Sequence, residues 1–367
     1  MQYPRNIHYE HCDLPFTAEN LTVPISSNIS NKKLVANLYD IYKYVIYYRY
    51  LHECLRNGLV LLKIHRILAF NQKAFLEPYI SLNTYLRQNA TSDFERDFFK
   101  KQNNSIFGKT IENKRKQVDV KLVNVWKDNF NNTNKVCGAE KYVSAPNFKN
   151  FTIISDSLIA IQLRPTKVIL DRPIYVDFTI LELAKSHLYN FHYSVMKKIY
   201  KDNNIKLCYT DTDSLLYLIY TEDFYKDMKD NIKYFDTSNF LENNIYHILK
   251  ANKQIPGYLK DELGGDIITE FIRLKAKLYC VNTLKSAIKK AKGVKKHITK
   301  ILTIEKCRHI LNSKKTHRDT MYVIRSKNHI FYTQKINKLI LSGNDDKRQI
   351  CDDMYKTLPW GHYSNLF

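Results

Sequence analysis

Residues 205–220 read IKLCYTDTDSLLYLIY, two β-prone runs held apart only by Asp211, Thr212 and Asp213. So short a break between apolar runs predicts a hairpin with its acids at the tip. Two carboxylates at i and i+2, fixed beside a tight turn by apolar strands, cannot both enter the core without a compensating cation. A divalent metal would supply it. The plainer reading is a solvated turn in which Asp and Thr hydrogen-bond locally, and the turn alone leaves both open.

Upstream lies Lys100-Lys-Gln-Asn-Asn104-Ser105-Ile-Phe107-Gly108-Lys109. On a helix, Lys100, Asn104 and then Phe107 or Gly108 form one stripe of a cation, an amide, a ring and a gap. Such a stripe suits a nucleotide: the lysine neutralises phosphate, the ring packs on the base, and Gly108 lets a base pair approach the backbone. A solvated amphipathic helix explains the same spacing. The surrounding residues 74–116 are helical in pattern, with Phe94, Phe98 and Phe99 on one face and Ser92 as a cap. Two β-prone runs, YKYVIYYRY and LVLLKIHRILAF, flank a helix near residues 51–57 that Gly58 ends. Residues 127–141 form a polar loop or hairpin tip, and 174–198 a long helix after a short strand. Residues 285–300 hold seven lysines and no acid.

The chain has 367 residues, room for two or three domains, and 44% hydrophobic composition rules out global disorder. Lys+Arg 58 against Asp+Glu 36 leaves a net charge of +22, which steers polyanions toward the surface and makes nucleic acid the first partner to consider. The seven cysteines contain no CxxC pair, so no zinc ribbon or redox dithiol is spaced into the sequence, and a reducing compartment fits. No apolar run has the length of a membrane span or secretion signal. HYEHC at residues 8–12 matches no closed zinc site, and His187 and His192 read as packing or surface residues.

YTDTDS resembles motif C of family B DNA polymerases, written YxDTDS, and KKQNNSIFG resembles their motif B, KxxxNSxYG. Phe107 stands where the broader family has tyrosine, which keeps a ring and removes a hydroxyl. Lys277-Leu278-Tyr279 is similar to the KxY element at the palm–thumb border, and Lys292-Gly293-Val294 to the thumb KG element. The order of the four matches the family's. A closer resemblance, through nearly the whole chain, is to the protein-primed family B polymerases of Polinton or Maverick transposons. It is carried by KIHRILAF, FKKQNNSIFGKTIENKRKQVDVKLV, APNFKNFTI, RPIYVDFTILELAK, YTDTDS, TEFIRLKAKLY, AKGVKK, LSGNDDKRQI and TLPWGHY.

The resemblance implies an α+β fold, a partial right-hand polymerase with an antiparallel palm sheet, helical fingers and a small thumb. Residues 1–90 would be an insertion or partial palm that contacts a priming protein, 91–118 the fingers with motif B, and 119–150 a second insertion. Palm with motif C and KxY would follow at 151–280, and thumb and C-terminal region at 281–367. Asp213 takes the place of the principal catalytic metal ligand and Asp211 of the supporting acid. Lys100, Asn104, Ser105, Phe107 and Gly108 correspond to nucleotide-binding positions. Tyr209, Thr212, Lys277, Tyr279, Lys289, Lys290, Lys292, Gly293, Lys295 and Lys296 correspond to DNA-binding ones. Implied cofactors are two Mg²⁺ ions, with Mn²⁺ as a substitute, and dNTP substrates. Implied partners are a DNA primer–template and a terminal priming protein, in the nucleus or cytoplasm and away from membranes.

Two-metal phosphoryl transfer needs carboxylates from two places, and in the family the second comes from motif A, a DxxSLYP-like element. None of Asp13, Asp40 and Asp93 sits in a comparable setting. The opening MQYPRNIHYEHCDLPF resembles the stretch that follows motif A, so the chain is expected to be a C-terminal fragment without motif A or exonuclease, weakly active or inactive alone. The missing motif A strand would leave the palm sheet with an unpaired edge. Two other readings stay open: a nucleic-acid-binding remnant without catalysis, and a glycosyltransferase with a DxD turn, which accounts for the hairpin but not for the charge of +22.

Overall fold

The computed structural model describes residues 1–22, 32–131, 134–313, 315–327, 330–343, 347–353 and 355–366. Residues 132–133, inside the polar 127–141 loop, and 344–346, inside LSGNDDKRQI, lie outside that set. The chain is mixed α+β with small antiparallel sheets. Its first elements are β1 (Thr17–Thr22), β2 (Lys32–Asn37), α1 (Tyr48–Arg56), α2 (Glu77–Gln88) and α3 (Asp93–Thr110). There follow β3 (Asp119–Val123), β4 (Asn129–Asn131), β5 (Asn134–Val136), α4 (Ala139–Val143), β6 (Phe148–Ser155) and β7 (Leu158–Leu163). Helix α5 (Ile174–Asn190) passes through a π-helical turn, Phe191–Met196, into α6 (Lys197–Asn204). The hairpin β8 (Ile205–Asp211) and β9 (Ser214–Ile219) comes next, then α7 (Phe224–Asp230), β10 (Phe235–Asp236) and β11 (Leu259–Lys260). Strands β12 (Ile268–Lys275), β13 (Leu278–Thr283) and β14 (Ala287–Ala291) form one antiparallel sheet, followed by α8 (Lys296–Ile301) and α9 (Ile304–Ser313). The chain closes with the paired strands β15 (Thr316–Lys327) and β16 (Ile330–Ser342) and two short strands, β17 (Gln349–Ile350) and β18 (Thr357–Leu358).

Two compact units result, the first from Met1–Asn104, Phe178–Arg318 and Leu339–Phe367, the second from Ser105–Asp177 and Asp319–Lys338. The second holds the sheet β3-β7-β6, whose small core is Val123, Ala139, Ile161 and Leu163. Glu112 organises its opening turn by pairing with Lys109 at 2.9 Å and Arg172 at 3.0 Å. These hydrogen bonds, with one from Gln117, draw the Glu112 carboxyl down to about 2.

The first unit is built around an irregular N-terminal segment. Leu14, Pro15 and Phe16 lie outside regular structure, so their backbone groups need partners from side chains. Tyrosines supply them: the Tyr193 hydroxyl donates to Leu14 O, Tyr189 to Pro15 O and Tyr50 to Phe16 O, while Phe16 N donates to the Tyr3 hydroxyl. The Phe16 ring, 1% exposed, packs among His11, Tyr50, Tyr189 and Tyr193. Helix α5 is pinned to this core through Glu182, which accepts from Tyr47 N and pairs with Lys185, whose ammonium lies over the Tyr50 ring. Near the C-terminus Gly361, at φ +84°, passes so close to Leu38 and Tyr39 that a Cβ would stand 2.7 Å from Tyr39 N.

Several sequence expectations met their elements. Helix α1 ends at Gly58, whose φ of +89° is the left-handed conformation that stops a helix. Ser92 caps α3 through a bond from Glu95 N, while Glu95 reaches back to Thr91 N and Ser92 N, a capping box. Others did not. Among the described residues LVLLKIHRILAF makes only the single bridge Val60–Gln2, and YKYVIYYRY runs into helix α1, because neither run meets a described partner strand. Phe94 and Phe98 stack on one face as expected, yet that face is exposed, at 79% and 45%.

His8, His11 and His362 are buried in the first unit. His8 Nδ1 accepts from Tyr363 N and His362 Nδ1 from Ser364 N, bonds that require the neutral ring. Burial pulls all three below the ordinary histidine range, His11 down to about 4. A depressed folded-state value means that the unfolded chain binds the proton first, so stability present at neutral pH is lost as pH falls through about 6.5 toward 4. Between about pH 7 and pH 5 the unit is expected to lose about 2 kcal/mol through His11 alone. Urea midpoints followed at Trp360 across that range would check this; a flat profile, or one unchanged by His11→Gln, would contradict it.

Candidate functional site

Strands β8 and β9 pair antiparallel with Asp211 opposite Ser214, which leaves Thr212 and Asp213 as the turn. Thr212 adopts φ 62°, the left-handed region that such a turn demands. Local bonds close it: Asp213 N donates to Asp211 O at 2.7 Å, the Ser214 hydroxyl to the same oxygen at 3.2 Å, and the Thr212 hydroxyl to Asp211 Oδ1 at 3.3 Å. Asp213 is exposed, and its carboxylate makes no hydrogen bond among the described residues. Asp211 is half-buried and paired.

Its partner is Lys277, whose Nζ lies 2.9 Å from Asp211 Oδ1. The carboxylate holds the Lys277 ammonium above the ordinary lysine range. Lys277 occupies the tight turn between β12 and β13 at φ 60°, and its amide donates to the Tyr209 hydroxyl at 3.1 Å. The Tyr209 ring packs 5.0 Å from Tyr279 and 6.3 Å from Phe271, and burial raises both tyrosines. Lys292 N donates to Lys277 O at 3.1 Å, which brings the Lys292–Gly293 turn to the same corner, with Gly293 at φ +80°. Asp211, Lys277, Tyr279, Lys292 and Gly293 thus form one corner built from three separate stretches of chain, with Tyr209 buried beneath it.

Cross-strand pairing divides the lysine run. Arg273 is opposite Tyr279, and Tyr279 opposite Lys290, so these three share the sheet face that meets Tyr209. Lys289 is opposite Cys280 on the other face, and its ammonium donates to Lys300 O. Lys295 and Lys296 are exposed at the start of α8. Arg273, whose guanidinium lies 6.0 Å above the Tyr209 ring, is a member that sequence reasoning missed. The alternation of TEFIRLK, read against Tyr279, carries the signal for it.

On α3, Lys100, Asn104, Ser105 and Gly108 are exposed and Phe107 is half-buried. Lys100 and Asn104 have no side-chain partner among the described residues, while Gln102 and Asn103 turn instead toward Tyr79 and Thr84 of α2. A Cβ at Gly108 would meet nothing within 4 Å, so that end of the stripe is open. Asp13, passed over in the sequence, accepts from Leu207 N on the outer edge of β8 at 3.1 Å. It therefore caps the base of the hairpin rather than joining the turn.

No described helix is long and apolar enough to cross a membrane. Nor does any set of three or more His, Cys, Asp or Glu gather as a cation site among the described residues. The turn offers two carboxylates from one hairpin, and Asp211 already holds Lys277. That donor set does not fit a two-ion centre, which bridges both ions with carboxylates from separate strands. The fold and this corner define a mixed α+β chain with small antiparallel sheets that presents an acidic turn beside a cationic, aromatic sheet face. No family model, curated protein or solved structure matches the chain.

Proposed function

We propose that this chain is a relative of the protein-primed family B DNA polymerases, a partial right hand that binds primer–template DNA and carries out little or no nucleotidyl transfer by itself. The convergence of Tyr209, Asp211, Lys277, Tyr279 and the Lys292–Gly293 turn on one corner is the observation that carries this reading. Those positions resemble polymerase elements one by one, and a chance set of short matches would have no reason to meet in space. The duplex would lie along the face of Arg273, Tyr279 and Lys290 and on toward Lys292, Lys295 and Lys296, with lysines neutralising phosphates and Gly293 admitting the backbone. The exposed stripe of Lys100, Asn104, Ser105 and Gly108, with the Phe107 ring, would meet the incoming dNTP. Asp211 and Asp213 alone would hold Mg²⁺ or Mn²⁺ weakly. The terminal priming protein is the partner that the resemblance implies.

The Asp211–Lys277 ion pair favours a second reading, a nucleic-acid-binding module without catalysis, because a lysine already neutralises one of the two acids. Filter binding with primer–template separates the two. A polymerase-like site tightens when the matching dNTP is added, a plain binding module does not, and a glycosyltransferase prefers a nucleotide sugar to DNA. Changing Lys290, Lys292, Lys295 and Lys296 together to Gln is expected to weaken binding and to flatten its salt dependence, by about 0.9 in slope for each phosphate left without its lysine. Lys289 is left out because it faces the other way. An unchanged slope would contradict the assigned face.

A further inference from the structure

An open groove of about 390 Å³ lies in the first unit between α9 and the base of the β15–β16 pair. Lys306 and His309 enter it from α9 at i and i+3, and Lys315, just before β15, and His317, within it, enter at i and i+2, spacings that aim each pair to one side. Each of the four side chains is without a partner among the described residues. Among the described residues Glu305 is the one acid on the lining, and its carboxyl is held below the ordinary range by its own backbone N–H and by the Thr303 hydroxyl, at the start of α9. Its charge is thus engaged with the helix N-terminus. What remains is a concave surface with donors converging from two elements over the apolar floor of Ile310.

We propose that this groove binds the phosphodiester backbone of a nucleic-acid strand, as a contact separate from the lysines of β14 and α8. The proposal rests on the DNA-binding reading above and adds a second site to it. Charge complementarity selects the occupant: cations that are unpaired among the described residues attract an anion with several oxygens, and in a chain of net charge +22 the matching polyanion is nucleic acid. A sugar ring between two phosphates would rest on Ile310 while Lys306 and Lys315 bind the flanking oxygens and the imidazoles donate to them.

Anisotropy titrations of a fluorescein-labelled DNA duplex across a salt series test this with the whole chain. Lys306→Gln combined with Lys315→Gln is expected to lower the slope of log K against log salt by about 2 and to weaken binding several-fold at low salt. In the unaltered protein, the imidazole signals of His309 and His317 are expected to move when duplex is added. If the slope of this variant stays unchanged while that of the Lys290, Lys292, Lys295 and Lys296 variant falls, the groove proposal is overturned and the DNA-binding reading stands. Imidazole signals that stay fixed in a chain that binds duplex overturn it equally. If the unaltered chain binds no duplex, both are overturned.

Discussion

Supplied with primer–template, dNTPs and Mg²⁺, this chain is expected to extend primer orders of magnitude below the roughly 10 s⁻¹ typical of enzymes. The reason lies in donor count and charge. Two ions that flank a transferring phosphoryl group need carboxylates on both sides, and the described residues place only Asp211 and Asp213 at the turn. Asp211 is further engaged by Lys277 at 2.9 Å, a contact that an arriving ion would have to loosen. Withholding one bridging carboxylate removes several kcal/mol of charge stabilisation, and each 1.36 kcal/mol is a factor of ten in rate, so a loss of about a thousandfold or more is expected. Asp213→Ala should then change little. Rapid extension by the unaltered chain that Asp213→Ala abolishes would refute the prediction.

Phe16→Ala is expected to destabilise the first unit by about 3–5 kcal/mol, the range for deleting a buried phenylalanine ring. Phe16 is 1% exposed and stacks on Tyr193 at 4.9 Å, with Tyr189 at 5.0 Å and His11 at 5.1 Å, so the cavity would open in the centre of an aromatic cluster. The hydroxyls of Tyr193, Tyr189 and Tyr50 bond the carbonyls of Leu14, Pro15 and Phe16, which limits how far the neighbours can collapse into the space. Trp360 belongs to this unit and Trp126 to the other, so urea unfolding in a Trp126→Phe background reports the effect locally. A loss under about 1 kcal/mol would show that the ring is not the keystone of the cluster.

Strands β8 and β9 form a sheet of their own, and Asp13 takes one free amide of β8 at Leu207. Nothing in CDLPF announces that role, because a strand-edge cap depends on which distant loop arrives there. The apolar run 59–70, exposed from Leu62 onward, shows the converse: its β-prone composition was plain, but a strand exists only when a second strand pairs with it. Lys289 and Lys290 are neighbours in the chain and look alike in sequence, yet they project to opposite faces of β14.

Local chemistry was readable from the amino acids alone: the hairpin and its acidic tip, the Gly58 stop, the capping box at Ser92, the long helix ahead of the hairpin and the excess of positive charge. Each depends on residues a few positions apart, where backbone preference and short hydrogen bonds decide. Only tertiary packing settled that Lys277 would neutralise Asp211, that Arg273 would lie over Tyr209, and that four tyrosines would lash the backbone around Phe16. Such pairings join residues far apart along the chain. They are selected by how side-chain volumes and buried polar groups are satisfied together, and no local pattern records that.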